Sequence, residues 1–447
     1  MKDAQTGHTH NKLSLEIFIE HSQEGDYITL PFNMPPDTAA MTLSYHYARH
    51  DYPETKTETG LFTGREETNI IDLCLIAPDG GQAGASGSDK TKITIGAINS
   101  TPGYKVMPLA PGEWQILVGA YKVASQGVQV TYELEFIPKA IQLLKGDLHT
   151  HTLASDGVLT LAELGRHALR HGLDFLAITD HNQMVSQDSL PDIEGLTMIP
   201  GVEWSHYQGH ANFLGVDQPF DGPYFTDNLT DTRLIFETAR KRGALITLNH
   251  PFEESCPYSF DLDALPFDVL EVWNGPMRES NLRSIALWQG LLASGKKVPI
   301  CGGSDYHRDR LFQILGGPTL CVYAPSASTT DILSAVRGGH SFITFSPEGP
   351  TLEMQSGEAI MGDSLAFTAG QVVSLDFKGL QQGDVLKMIT SEDIVDIFTA
   401  PMAGEYRCEV PAEPGFMRVE VWRTFLPGIP PLPALVSNPI YFDRAAA

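Results

Sequence analysis

Residues 143–151, Leu143-Leu144-Lys145-Gly146-Asp147-Leu148-His149-Thr150-His151, are a short apolar run ending in two histidines one residue apart. Thr160–His171 (TLAELGRHALRH) then places Leu161, Leu164, Ala168 and Leu169 on one helical face, with Gly172 as the stop. Asp174–Thr179 (DFLAIT) follows as a largely apolar strand of the buried, parallel type, and it runs into Asp180-His181. Strand, helix and strand in succession are the unit of a parallel α/β fold. The unit repeats. Thr197–Val202, Ala244–Leu248, Val269–Trp273 and Val298–Gly302 read as strands, and Asp231–Arg242, Glu279–Ala293 and Thr330–Gly338 as helices. A repeat of this length suits a barrel.

Outward from this middle the pattern changes on both sides. Residues 11–140 hold short alternating or aromatic-rich runs, such as Tyr27–Phe32, Met41–Tyr47 and Gln129–Phe136, separated by Pro, Gly, Asp and Ser clusters. That even spacing predicts a β-sandwich, with Asp79–Lys90 (DGGQAGASGSDK) as a mobile loop. Residues 346–443 return to β-type runs and predict a second, smaller β-rich domain, so three domains are expected: 11–140, 141–345 and 346–443.

With 30 Lys+Arg against 55 Asp+Glu, the 447-residue chain carries a formal charge of −25. Long-range repulsion then argues against nucleic acid or an anionic membrane as the main partner, and a small-molecule substrate is expected. Oligomeric state is not written in the sequence. No run of about 18 uninterrupted apolar residues occurs, so no membrane span is expected. The start lacks a basic region leading into an apolar one, which predicts a cytoplasmic protein, or a periplasmic one had a leader been removed. Cys74, Cys256, Cys301, Cys321 and Cys408 are scattered, with no CxxC. They read as small buried hydrophobes in a reducing compartment, not as a disulfide frame or thiolate metal site.

The chemistry concentrates at the strand ends of the middle region: Asp147–His151 with Asp156, Asp180–Asn182, Glu203, His210, His250, and Asp305 with His307. On an extended segment side chains alternate with period two, so both imidazoles of an HxH face one side and can share a cation. Strand ends of a parallel barrel converge on one mouth. Six histidines and three acidic residues directed there suit Zn²⁺, Mn²⁺ or Fe²⁺ in a multinuclear site. A lone HxH is weak evidence, and His8-Thr9-His10 repeats the tripeptide in a polar terminus. Asp180 reads as a carboxylate that orients a ligand.

The motifs DLHTHTLASDG, LAITDHN, IPGVEWS, NHP and GGSDYH resemble those of the PHP (polymerase and histidinol phosphatase) superfamily. GHANFLG and GGHSFIT resemble its CehA/McbA branch of metallohydrolases. The resemblance implies a distorted (β/α)7 barrel holding two to three divalent ions. It assigns His149, His151 and Asp305 to a first ion, with Glu203 bridging to a second completed by His210 and His250. Asp156, His181 and His307 would hold a third, where many family members have His in place of Asp156. His206 is an alternative to His210, which leads directly into a strand and is preferred.

Cations placed close together can hold a bridging hydroxide as nucleophile and neutralise the developing oxyanion. Asp180, His307 and a metal-bound water are candidate proton donors to the leaving group. Arg308, Arg310 and Arg278 have guanidinium forks suited to phosphate oxygens, and Asn182 and Asn274 complete the candidate substrate contacts. Phosphoester hydrolysis is therefore the favoured reading. Carbamate, ester or amide hydrolysis is the alternative, in a pocket made of Trp204, Tyr207, Phe252, Tyr258, Trp273 and Tyr306. A binding protein on the same scaffold, without catalysis, is the third.

Overall fold

Residues 7–9, 11–50 and 67–444 are described by the computed structural model, and the tripeptide His8-Thr9-His10 lies outside its described side chains. Alternating burial along Lys12–Ile19, Thr38–Tyr47 and Val128–Pro138 turns every second side chain inward. These strands form one antiparallel sheet with Gly7–Thr9 and Lys92–Gly96, while Tyr27–Met34, Gly112–Lys122, Ile70–Ile76 and Gln82–Ser86 form another. Both sheets bury their inner faces in one core around Trp114, Tyr45 and Tyr132. Gln82–Ser86 is a strand inside the stretch expected to be a mobile loop. At Gly84 (φ +159°) an added Cβ would fall 2.5 Å from the Tyr104 backbone, so this glycine serves close packing and not flexibility.

The chain divides after Ala140 into two units. The second unit, from Ile141, is a mixed, sheet-rich α/β structure with four α-helices: α1 (Leu161–Arg170), α2 (Leu229–Lys241), α3 (Glu279–Ala293) and α4 (Thr329–Gly338). Side-chain capping fixes the starts of α1, α2 and α4. Thr160 and Glu163 form a reciprocal capping box at α1, and the Asn228 and Ser328 side chains accept the Asp231 and Asp331 backbone N–H groups at α2 and α4. Pairing is parallel between Gln142–Asp147, Phe175–Ala177 and Thr197–Ile199, and again between Leu245–Leu248, Val269–Asn274 and Ile300–Gly303. The uniformly parallel repeat is corrected at Gly209–Leu214, which pairs antiparallel on both sides. The reason is local: only Tyr207 and Gln208 separate it from Gly201–His206, too short a link for a parallel crossover. Two isolated parallel bridges, Thr150 to Tyr306 and His181 to Glu203, join the two sheets where the histidines cluster.

Sheet pairing runs across the boundary expected at residue 345. Ser341–Thr344 pairs with Leu432–Ser437, so strands on both sides of that boundary belong to one sheet. Cys321 and Phe342 share a core with Leu352, Phe377 and Val419. Among the described residues, no helix is long and apolar enough to cross a membrane.

Candidate metal centre

Glu203 is fully buried, and five imidazoles surround its carboxylate. Oε1 lies 3.2 Å from His149 Nε2, 3.0 Å from His210 Nδ1 and 3.3 Å from His250 Nε2. Oε2 lies 2.7 Å from His181 Nδ1 and 3.6 Å from His151 Nε2. Asp305 adds a second carboxylate, 3.0 Å from His151 Nε2 and 3.4 Å from His149 Nε2. On the far side of the His151 ring, His307 Nε2 and His181 Nε2 approach Asp156 Oδ1 at 3.1 and 3.7 Å. Three strand-end residues, Asn182, His250 and Asp305, hold positive φ of 55°, 23° and 51°. Such backbone persists only where the surroundings over-determine it.

Neighbouring groups set which ring nitrogen faces the centre. Glu271 Oε1 takes His149 Nδ1 at 3.0 Å, leaving Nε2 to face Glu203. The Asp305 carbonyl takes His307 Nδ1 at 2.8 Å, leaving Nε2 on Asp156. Asn249 Nδ2 donates to Glu203 Oε1 at 2.9 Å and fixes the carboxylate plane. Burial opposes ionisation of Glu203, yet the charge of His149 and the close imidazoles of His181 and His210 hold its carboxyl well below the usual range. Burial likewise opposes protonation of His149, but Glu271, Asp305 and Glu203 raise it well above 6.5. His250 is raised well above 6.5 against the same penalty, by Cys256 and Glu203, whereas burial wins at His151 and lowers it.

His149 Nε2, both ring nitrogens of His151 and Glu203 Oε2 are buried without a hydrogen bond. Leaving polar atoms so costs about 1–3 kcal/mol each, and their convergence on one point fits divalent cations. Donor atoms fall within 4.8 Å of one another in several sets, among them His149–His151–Glu203, His181–Glu203–His210 and His151–Asp156–His181–His307.

No family model matches the chain. It is 37% identical over 84 residues to the 5'-3' exoribonuclease Rnm of Salmonella typhimurium, covering 16% of this chain and 27% of that one. It is 29% identical over 129 residues to the DNA polymerase/3'-5' exonuclease PolX of Bacillus subtilis, 27% of this chain and 21% of that one. The chain thus spans only about a quarter of the length of these curated relatives. Among solved structures, it is similar to a two-domain protein of Bacteroides vulgatus containing a predicted PHP-like metal-dependent phosphoesterase. That likeness has a TM-score of 0.40 at 18% identity and covers 66% of this chain and 95% of that one. An amidohydrolase of Chromobacterium violaceum aligns with a TM-score of 0.26 at 17% identity, covering 36% and 87%.

All nine residues expected to hold cations come together, and His210, not His206, faces Glu203. Both His206 nitrogens are taken, Nε2 by the Thr226 carbonyl at 3.2 Å and Nδ1 by the Gln208 backbone N–H at 3.2 Å. Asp180 is fully buried and accepts from Thr152 N, Thr152 Oγ1 and Ser155 Oγ, all at 2.7 Å, so it clamps the loop that carries Asp156. The Asn182 side chain bonds the Ser205 backbone, and that of Asn274 bonds Glu271 and Arg278. Arg278 is ion-paired with Glu253 at 2.8 Å. Arg308 and Arg310 are exposed, and Arg308 Nη2 donates to the Asp156 carbonyl at 3.2 Å, beside the third cluster.

The aromatic pocket does not form as expected. Trp204, Trp273 and Tyr306 are buried, Phe252 lies under the Arg283 guanidinium, and Tyr258 packs on the core around Trp204. Only Tyr207 is broadly exposed. Sequence reasoning missed Glu271, Asn249 and Cys256. The first two read as ordinary strand interior and strand end, although an acid in the apolar run VLEVW was a signal.

Proposed function

We propose that this unit is a metal-dependent hydrolase of the PHP kind, acting on phosphoesters of small molecules. The observation that carries the reading is Glu203, one buried carboxylate among five imidazoles with four orphaned polar atoms around it. Two to three cations of the Zn²⁺, Mn²⁺ or Fe²⁺ type suit this donor set: His149, His151 and Asp305; His210 and His250; Asp156, His181 and His307, with Glu203 shared. When bound, such ions supply an activated water at neutral pH and neutralise charge developing on the attacked group. The chain's own residues do the rest. Glu271 and the Asp305 carbonyl orient His149 and His307, Asn249 fixes Glu203, and Asp180 holds the Asp156 loop. Because Asp180 is enclosed, proton delivery to the leaving group falls to the His307 side.

The ring of strands, closed by the bridges at Thr150 and His181, is read as a distorted (β/α)7 barrel, and GHANFLG and GGHSFIT favour the CehA/McbA branch. Arg308 beside the third cluster and the nuclease names of the curated relatives favour phosphoester over acyl substrates. The net charge of −25 favours a small molecule over a polynucleotide. The test is the full chain loaded with Mn²⁺ or Zn²⁺ and offered nitrophenyl phosphate mono- and diesters beside nitrophenyl carbamates and esters. Phosphoester turnover that a chelator abolishes is expected. Turnover of carbamates with phosphoesters untouched would overturn the substrate class, and failure to bind any ion would overturn the whole reading.

A further inference from the structure

Cys256 is not the inert hydrophobe that its scattered place in the sequence suggests. It sits on the loop after His250, and two backbone bonds hold that loop in place: Tyr258 N–H to the Pro251 carbonyl at 3.1 Å, and Ser259 N–H to the Gln208 carbonyl at 2.7 Å. The second bond ties the loop to the hairpin turn that leads into His210. At Gly209 (φ +143°) an added Cβ would lie 2.5 Å from Tyr258 Cδ2, so loop and hairpin approach as closely as glycine allows. The result brings Cys256 Sγ and one nitrogen each of His210 and His250 within 4.8 Å of one another. Ser255 Oγ donates to Sγ at 3.6 Å, and His250 Nδ1 lies 3.9 Å from it. Glu203 approaches the same two histidines through Oε1, 3.0 Å from His210 Nδ1 and 3.3 Å from His250 Nε2.

We infer that Cys256 is a thiolate ligand for a cation held with His210 and His250, and that it makes this position selective for soft, thiophilic ions. The inference rests on the metal-centre reading above and names a ligand outside the nine histidines and carboxylates assigned to it. On ligation the sulfur–cation bond forms, the S–H bond breaks and the proton leaves to solvent. A donor set of two imidazoles and one thiolate prefers Zn²⁺ or Co²⁺ to Mn²⁺ or Mg²⁺, which favour all-oxygen and nitrogen surroundings.

The experiment strips the full chain with a chelator and titrates it with Co²⁺. A thiolate-to-Co²⁺ charge-transfer absorption in the near ultraviolet is expected as the ion binds. Cys256→Ser should abolish it while the visible ligand-field bands of histidine-bound Co²⁺ persist, and Cys301→Ser should leave it intact. Zn²⁺ affinity in Cys256→Ser should fall on the order of 10- to 100-fold, and Mn²⁺ affinity far less. Co²⁺ bound with no charge-transfer absorption, or an absorption that survives in Cys256→Ser, would overturn the assignment and leave the metal centre standing. No Co²⁺ binding at all would overturn the centre itself, and Cys256 as its ligand with it. Because the absorption is read first on the unaltered chain, the test does not depend on how a variant folds.

Discussion

Replacing Glu203 by glutamine keeps the side chain's volume and removes one negative charge from among five imidazoles. An amide cannot offset two neighbouring cations, and its N–H group would face imidazole nitrogens now held for ligation. Glu203→Gln should therefore weaken at least two ions together and reduce turnover at least about 100-fold. Elemental analysis beside kinetics checks this, and retention of both ions with most of the activity would show the bridge to be misplaced. The same residues fix a pH dependence. His149 and His250 are raised well above 6.5, so the stability they give the cation-free protein is complete below that pH and is lost as pH rises through their folded values. Glu203 and Asp305 are depressed below 4.5 and 3.8, so theirs is present above those values and lost as pH falls. His151, lowered by burial, trims the gain on the acid side. Chelated protein should thus melt at progressively lower temperature as pH is taken from 6.5 upward. Added Mn²⁺ or Zn²⁺ should reverse the slope, since the ions replace the protons. A rising melting temperature without ions over that range would contradict the assignment of those charges.

At the scale of the element, the loop 152–157 shows how a carboxylate outside the ion cluster can still govern it. Three donors of that loop converge on Asp180, each hydrogen bond to such a charged acceptor contributing about 1.5–3 kcal/mol. Asp180→Ala should lower stability by about 2–4 kcal/mol and release the Asp156 loop. Affinity for the third ion should drop on the order of 10- to 100-fold while the ions at His149 and His250 remain, and KM for a charged substrate should rise more than kcat falls. Equal loss of all ions would instead make Asp180 part of the general scaffold. The elements themselves were largely legible: α3 begins and ends where apolar periodicity placed it, Glu279–Ala293. What escaped the reading depended on contacts far along the chain. Gln82–Ser86 looks like a linker until Tyr104 is seen packed on Gly84, and Glu271 looks like an accident of a buried strand until His149 is seen beside it. The ligand histidines were legible because they stand at strand ends, two of them one residue apart. Their supports were not, because nothing local distinguishes Asn249 or Cys256 from a loop residue.

Across the whole molecule, the centre depends on strands beyond the expected boundary at residue 345. Asn438, fully buried, accepts the Ile300 backbone N–H at 2.9 Å and donates to the Ser341 carbonyl at 3.0 Å. It thereby pins the strand Ile300–Gly303, which runs directly into Asp305 and His307, to the strand Ser341–Thr344. Removal of residues 346–447 would also strip Ser341–Thr344 of its partner Leu432–Ser437 and expose an apolar edge. A fragment of residues 141–345 should accordingly aggregate, whereas residues 141–447 should unfold cooperatively and keep the ion stoichiometry of the full chain, because the chain divides after Ala140. The sharper test is Asn438→Ala in the full chain. It leaves the Ile300 N–H and the Ser341 carbonyl buried with a lost partner each, at about 1–3 kcal/mol per group. Stability should fall by about 2–4 kcal/mol, and the ion held by Asp305 should bind measurably more weakly although Asn438 touches none of its ligands. Unchanged ion affinity at that reduced stability would mean that Asp305 is held in place from within 141–345 alone, by the backbone bonds of Ser304 and His151 to Asp147 and Tyr306.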